Sequence, residues 1–202
     1  MNPADLSITQ IQARLAARQA DPAIGVANEG YPVADPRPAA VLLPLLRHAD
    51  EWHLLYILRA VHAGDMHSGQ VAFPGGRWEA HENNAVQAAL REAHEEIGLR
   101  PEQVQLLGNL EDFITISSYR VTPVVGLIPW PLALQPQPGE VQRIFTIPLA
   151  WLADPAHREE RARSAPNGAA VQVVYFTEYD REVLWGITAR ITLNFLQALG
   201  LA

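Results

Sequence analysis

Cysteine and lysine are both missing from the 202 residues. Without cysteine there is no disulfide, no thiolate nucleophile and no Cys-ligated zinc or iron–sulfur site. Without lysine, all 15 basic residues are arginine, set against 22 acidic ones for a net charge of −7. An acidic chain with no basic run lacks the phosphate-neutralising surface that sequence-independent nucleic-acid binding needs. Long apolar runs are missing too. The longest uncharged stretch, Val121 to Gly139, is broken by Pro123, Pro129, Pro131, Pro136 and Pro138, and a spanning helix interrupted that often could not satisfy its backbone in lipid. The first residues include Asp5 and Arg14 and no apolar h-region, so no signal peptide is expected. The seven His include no i, i+4 pair, which argues against a helical zinc site. No Gly-x-Ser-x-Gly elbow occurs, so Ser-His-Asp chemistry has no support. The expectation is a soluble, cytoplasmic protein with no nucleic-acid or membrane partner.

The chain is 49% hydrophobic and 18% charged, enough apolar material for a full core and too much for disorder or a coiled coil. Its length favours one domain over residues 1–202. Ser7 to Gln10 has capping-box spacing, followed by Ile8, Ile11 and Leu15 at helical intervals, which predicts a helix over Ser7 to Arg18. Asp21 to Pro38 reads as loop, so residues 1–36 form a helix-and-loop extension. Ala39 to Leu46 and Trp52 to Leu58 predict two strands around a polar turn. Further strands are expected at Val104 to Leu110, Tyr119 to Ile128, Ile144 to Ile147 and Ala170 to Thr177. A closing helix is expected from Ile187 to Leu199. The charge run Arg158 to Arg163 reads as a solvated face. Trp185 and Phe195 read as core. Strands around a central helix indicate an α/β or α+β domain.

That central helix, Val86 to Ile97 with Gly98 as its stop, is the clearest element. With Glu92 at zero degrees, Glu95 and Glu96 fall at about −60 and +40 degrees, and the apolar stripe is centred about 120 degrees away. Three carboxylates thus crowd one edge, expected to face solvent. Alone they would read as a solvated acidic face whose like charges repel. Here they follow the Pro74-Gly75-Gly76 turn in a chain poor in charge. A turn of glycines lets a metal–phosphate group approach the backbone closely, and Mg²⁺ prefers one or two carboxylates plus waters and phosphates. The conjunction favours a cation site. Arg91 has the geometry to hold a neighbouring carboxylate, although a surface ion pair fits it nearly as well.

Gly76, then Glu82, then Arg91-Glu92-Ala93-His94-Glu95-Glu96-Ile97-Gly98-Leu99 resembles the signature box of the Nudix hydrolases, here residues 75–99. The resemblance implies an α/β/α sandwich with a mixed sheet, hydrolysing nucleoside diphosphates linked to another moiety. One departure is that eight residues separate Glu82 from Arg91, where the family pattern has seven. The extra residue lies before the helix and leaves Arg91 to Glu96 in register. A second likeness covers roughly residues 37–195. Arg59-Ala60, His67 to Gly76, Tyr119 to Gly126, Glu140-Val141 and Trp185 to Ala189 are similar to segments of coenzyme A diphosphatases. Ile57 and Asp65 depart from that pattern, where Thr and a second Arg are usual.

By resemblance, Glu92 and Glu96 are Mg²⁺ or Mn²⁺ ligands, with a backbone carbonyl of the Gly75-Gly76 turn. Glu95 binds a further metal through water or orients the nucleophile, and Arg91 holds the carboxylate network. Arg59 and His67 contact the ligand. Glu140 is the candidate general base, opening a strand after Pro136 to Gly139, with Glu111 and Asp112 as alternatives; an exposed loop charge, or a partner of Arg143, fits Glu140 equally. The implied substrate is coenzyme A or acyl-CoA, giving 3′,5′-ADP and 4′-phosphopantetheine. ADP-ribose or another nucleotide, or a catalytically silent ligand sensor on the same fold, stay open as alternatives, as does the oligomeric state, a homodimer included.

Overall fold

The computed structural model describes residues 1–21, 27–28, 34–61, 68–164, 168 and 170–202, with 27–28 described for their backbone alone. In chain order, α1 is Ile8–Ala20, β1 Ala27–Asn28, β2 Arg37–His48, β3 Glu51–Arg59, β4 Val71–Ala72 and β5 Gly75–Arg77. α2 follows at Ala85–Ile97, then β6 Gln105–Asn109, β7 Phe113–Ile114, β8 Tyr119–Leu127, β9 Val141–Pro148 and α3 Leu149–Ala153. β10 Arg158–Ser164, β11 Ala170–Tyr179, β12 Glu182–Trp185 and α4 Gly186–Ala198 close the chain. Among the described residues no helix is long and apolar enough to cross a membrane.

The strand β2 is central. It pairs antiparallel with β3, antiparallel with β5 and parallel with β8, so the large sheet is mixed. Its near-continuous apolar run reflects burial on both faces. Ala39, Leu43 and Leu45 face one core with α1, α3 and α4, through Ile11, Leu15, Leu152 and Phe195. Ala40, Leu42 and Leu46 face the other core with α2, through Ala85, Ala88, Ala89 and Ala93. Helices on both faces of a mixed sheet are the expected α/β/α sandwich. The β2–β3 turn places Ala49 and Asp50 at φ of 48° and 66°, a two-residue connection between His48 and Glu51.

The helix expected near the N-terminus forms, and the Ser7 and Gln10 side chains cap it reciprocally as a capping box. One expectation holds and one changes. The run Arg158 to Arg163 is a solvated face as expected, and it lies in the exposed strand β10, paired to β11 in an antiparallel three-stranded sheet with β12. Charges along such an edge discourage pairing with another chain. Inside the stretch read as loop, β1 pairs in parallel with β7. The short strands β4, β5, β7 and β12 carry too few residues for periodicity to reveal them and are defined by their partners.

Candidate active site

The helix α2 begins where the Asn84 side chain accepts the Gln87 N–H and ends on Gly98, left-handed at φ 69°. The solvent-facing edge expected for its carboxylates is overturned. Glu96 is 4% exposed, and the Glu92 side chain is largely covered while that of Glu95 is about half exposed, at 18% and 54%. The reason is the alanine row. Ala85, Ala88, Ala89 and Ala93 are all buried, so the covered arc runs from roughly −40 to +140 degrees on the wheel and includes Glu92 and Glu96. Small side chains there let the helix sit close to the sheet with its carboxylates at the seam.

What they meet at the seam is β5. The Gly75 N–H donates to Glu96 Oε2 at 3.0 Å. A Cβ on Gly76 would land on the Glu92 carboxylate, and one on Gly75 would land on the Ala40 carbonyl oxygen. Both positions therefore need glycine for close approach.

Arg91 binds this group together. Its Nε donates to Glu82 Oε1 at 2.9 Å, its Nη1 to Glu95 Oε2 at 2.9 Å, and its Nη2 to the Arg77 carbonyl at 2.8 Å. Nη1 also lies 3.0 Å from Glu92 Oε1. Glu82, whose side chain is 3% exposed, additionally accepts the Glu79 N–H at 2.6 Å. The longer Glu82–Arg91 spacing is thus absorbed in the turn before α2, and Glu82 acts as the buried anchor of Arg91. Desolvation disfavours the Arg91 charge, but the Glu82 hydrogen bond and the Glu92 charge outweigh it and hold the guanidinium more firmly protonated than usual. Glu82 likewise resists its desolvation through the Arg91 bond and stays below the usual carboxylate range.

Glu92 and Glu96 behave oppositely. Burial pushes Glu96 up to about 8, against the Gly75 N–H and assisted by the Glu92 and Glu140 charges. Burial also raises Glu92, against Arg91 and assisted by Glu95 and Glu140. Two carboxyls pressed into one seam, each with its charged form disfavoured by burial, suit a hard divalent cation. Among the described residues no group of three His, Cys, Asp or Glu side chains is placed to hold a metal ion.

The remaining predicted residues divide. Glu140 is exposed and its charge reaches both Glu92 and Glu96, while its carbonyl accepts the Ala60 N–H at 2.8 Å. It does not serve Arg143, which bonds Asp180 at 2.6 Å and lies 3.9 Å from Glu182. Glu111 is ion-paired with Arg18, and Asp112 accepts the Thr122 hydroxyl at 2.7 Å; both are committed elsewhere. Arg59 lines a cavity of about 300 Å³, along with Gly75, Gly76, Phe73, Tyr119 and Ile187, and its charge favours ionised Glu96. His67 and Asp65 lie outside the described residues. Phe195 is buried as expected, but Trp185 is not core: it is 39% exposed and stacks on Tyr175, 5.7 Å between centroids. As the residue before Gly186 it ends the edge strand β12, which an apolar motif cannot disclose. Sequence reasoning missed the anchoring role of Glu82 and the Arg77 carbonyl. The cue for Glu82 was its place in the signature box; a carbonyl leaves no cue at all.

A NUDIX domain model matches residues 35–168. The chain is 36% identical over 170 residues to an uncharacterized Nudix hydrolase NudL of Pectobacterium atrosepticum, covering 79% of this chain and 81% of that one. It is 38% identical over 163 residues to the NudL of Photorhabdus laumondii, covering 80% and 84%. Among solved structures, a MutT/nudix family protein from Enterococcus faecalis aligns with TM-score 0.49 and 16% identity, over 96% of this chain and 80% of that one. The chain belongs to the Nudix hydrolase family. It is accordingly an enzyme acting on nucleoside diphosphate derivatives, in a family that generally uses divalent metal ions.

Proposed function

We propose that this chain hydrolyses the diphosphate linkage of coenzyme A or an acyl-CoA with Mg²⁺ or Mn²⁺, releasing 3′,5′-ADP and 4′-phosphopantetheine in the cytoplasm. The observation that carries the reading is the shared glycine strand. Gly75 and Gly76 line the cavity and lie against Glu96 and Glu92, so the cavity and the carboxylates adjoin one strand that presents no side chain at either position. The coenzyme A preference is supported by the motif segments around Arg59, Tyr119 and Trp185, which span nearly the whole domain.

Glu92 and Glu96, with a main-chain carbonyl of the Gly75-Gly76 turn, would hold the cation. A bound Mg²⁺ or Mn²⁺ supplies charge neutralisation and a more acidic water. Arg91 fixes Glu92 and Glu95 in place, and Glu95, the most exposed of the three, orients the attacking water. Glu140 takes that water's proton, its exposed side chain lying outside the pair while its charge acts on both carboxyls. The water oxygen bonds to phosphorus, the P–O–P bridge breaks, and the bridging oxygen leaves with the departing half. Arg59 and His67 contact phosphate oxygens. The test is turnover of purified protein with Mg²⁺ against coenzyme A, ADP-ribose, dinucleoside polyphosphates and oxidised nucleotides. Release of 3′,5′-ADP at the highest kcat/KM is the expected result. Preference for ADP-ribose overturns the substrate, and binding without any turnover points to a ligand sensor.

A further inference from the structure

Arg77 lines the edge of the cavity, and Arg37 stands beside it, across the same Tyr119 ring. Among the described residues, ion pairs engage Arg18, Arg91, Arg143, Arg161 and Arg190; Arg37 and Arg77 are among the arginines with no carboxylate partner, and Arg37 Nη2 donates to the Ser117 carbonyl at 3.4 Å. Both arginines are exposed, in a chain whose acids outnumber its bases 22 to 15. Their placement follows from strand register. Arg37 pairs with Tyr119 across β2 and β8, while Ala39 pairs with Val121 on one side and Arg77 on the other. Alternate strand residues share a face, so Arg37, Tyr119 and Arg77 rise on the face where Ala39, Val41 and Val121 line the cavity. Ala39 offers only a methyl, and Arg77 reaches diagonally past it. The guanidinium carbons of Arg37 and Arg77 lie 4.3 and 5.5 Å from the centroid of the same Tyr119 ring. Cation–π attraction to one ring gathers two like charges that repel each other. A doubly charged anion within reach of both would offset that repulsion.

We infer that Arg37, Tyr119 and Arg77 form a subsite for a phosphomonoester on the nucleoside half of the substrate, distinct from the diphosphate that is cut. The inference rests on the diphosphatase reading above and adds a determinant of substrate choice to it. A phosphomonoester carries nearly two charges and three acceptor oxygens, matching two guanidinium forks better than a carboxylate does. The cavity, at about 300 Å³, is at the small end for ligand pockets and accommodates one half of a diphosphate-linked molecule. Phe73, Val71 and Ile187 give it apolar walls for a base or sugar. With the glycine strand at one end and the arginine pair at the rim, a nucleoside between them has its linking phosphate near Glu92 and its second phosphate at the arginines. Adenosine bearing phosphates at both 3′ and 5′ positions has this form.

Binding of adenosine 3′,5′-bisphosphate and AMP, measured by calorimetry in EDTA, tests the subsite without turnover. Wild type should bind the bisphosphate at least about tenfold more tightly than AMP. Arg37→Ala and Arg77→Ala should each reduce that ratio towards one, and Arg37→Lys should recover part of it. Equal affinities in wild type, or a preference that survives in both alanine variants, overturns the subsite. A parallel comparison of kcat/KM for coenzyme A and dephospho-coenzyme A separates the two readings. A wild-type preference for coenzyme A that collapses in Arg37→Ala supports both. Coenzyme A cleaved with the preference intact in both variants overturns the subsite alone. Failure to cleave either coenzyme overturns the substrate reading, and the calorimetric ratio still decides the subsite.

Discussion

Glu96 holds its proton up to about pH 8 in the folded chain, against a reference value of 4.5. Between those values the native state binds more protons than the unfolded state, so this group's contribution to stability falls as pH rises from about 4.5 to about 8. His53 works the other way: burial and the neighbouring His48 charge disfavour its protonated form, so its contribution to stability rises with pH through the histidine range. The difference between wild type and Glu96→Gln isolates the carboxyl. In EDTA, the variant should melt at or above the wild-type temperature at pH 8, with the gap shrinking towards pH 5. Melting curves that stay parallel across that range would contradict the buried, proton-holding Glu96. Glu140 carries a separate prediction. A general base contributes about 10²–10⁴-fold, so Glu140→Gln should lower kcat by that order while leaving Mn²⁺ affinity near normal. A drop of only a few-fold across the pH profile makes Glu140 a loop charge.

At the scale of elements, β5 seats α2 through two glycines that fail differently when substituted. A Cβ at Gly76 meets the mobile end of the Glu92 side chain, whereas one at Gly75 meets the backbone of β2 at Ala40 and Val41. Gly76→Ala should therefore lose most activity with a melting temperature close to wild type. Gly75→Ala should lose stability, by about 1–3 kcal/mol for overpacking, or several degrees at about 2–4 °C per kcal/mol for a chain of this size. Equal melting temperatures for the two would contradict the placement of β5. These elements were unequally legible. α1, α2, β2 and β3 follow from caps and apolar periodicity, because local sequence decides them. β5 has three residues and exists only because β2 pairs with it. The orientation of α2 was misjudged for a related reason: the apolar stripe through Val86, Ala89, Leu90, Ala93 and Ile97 leaves out Ala85 and Ala88, whose burial swings the covered arc towards Glu92 and Glu96. Polar Glu96 then lies inside the buried arc, where its chemistry is.

Across the whole molecule, the sandwich puts the acidic helix on one face of the large sheet and the cavity on the other, beside α4. The glycine strand is where the two faces communicate. Composition and motif spacing were enough to single out Arg91, Glu92, Glu95 and Glu96 as one cluster, since residues within two turns of one helix need no tertiary information. The rim of Arg37, Tyr119 and Arg77 comes from three strands and becomes one site only through register, which no single segment encodes. The same holds for Trp185, whose exposure depends on where β12 ends in its sheet. The central claim is that Glu92 and Glu96 together hold the cation that the diphosphatase reaction needs. It is tested most directly by Mn²⁺ binding, read by electron paramagnetic resonance alongside coenzyme A turnover, in wild type, Glu92→Gln and Glu96→Gln at pH 8. Each variant is predicted to bind Mn²⁺ at least about tenfold more weakly and to lose turnover while keeping its fold by circular dichroism. A Glu96→Gln enzyme with wild-type Mn²⁺ affinity and near wild-type turnover would contradict the account.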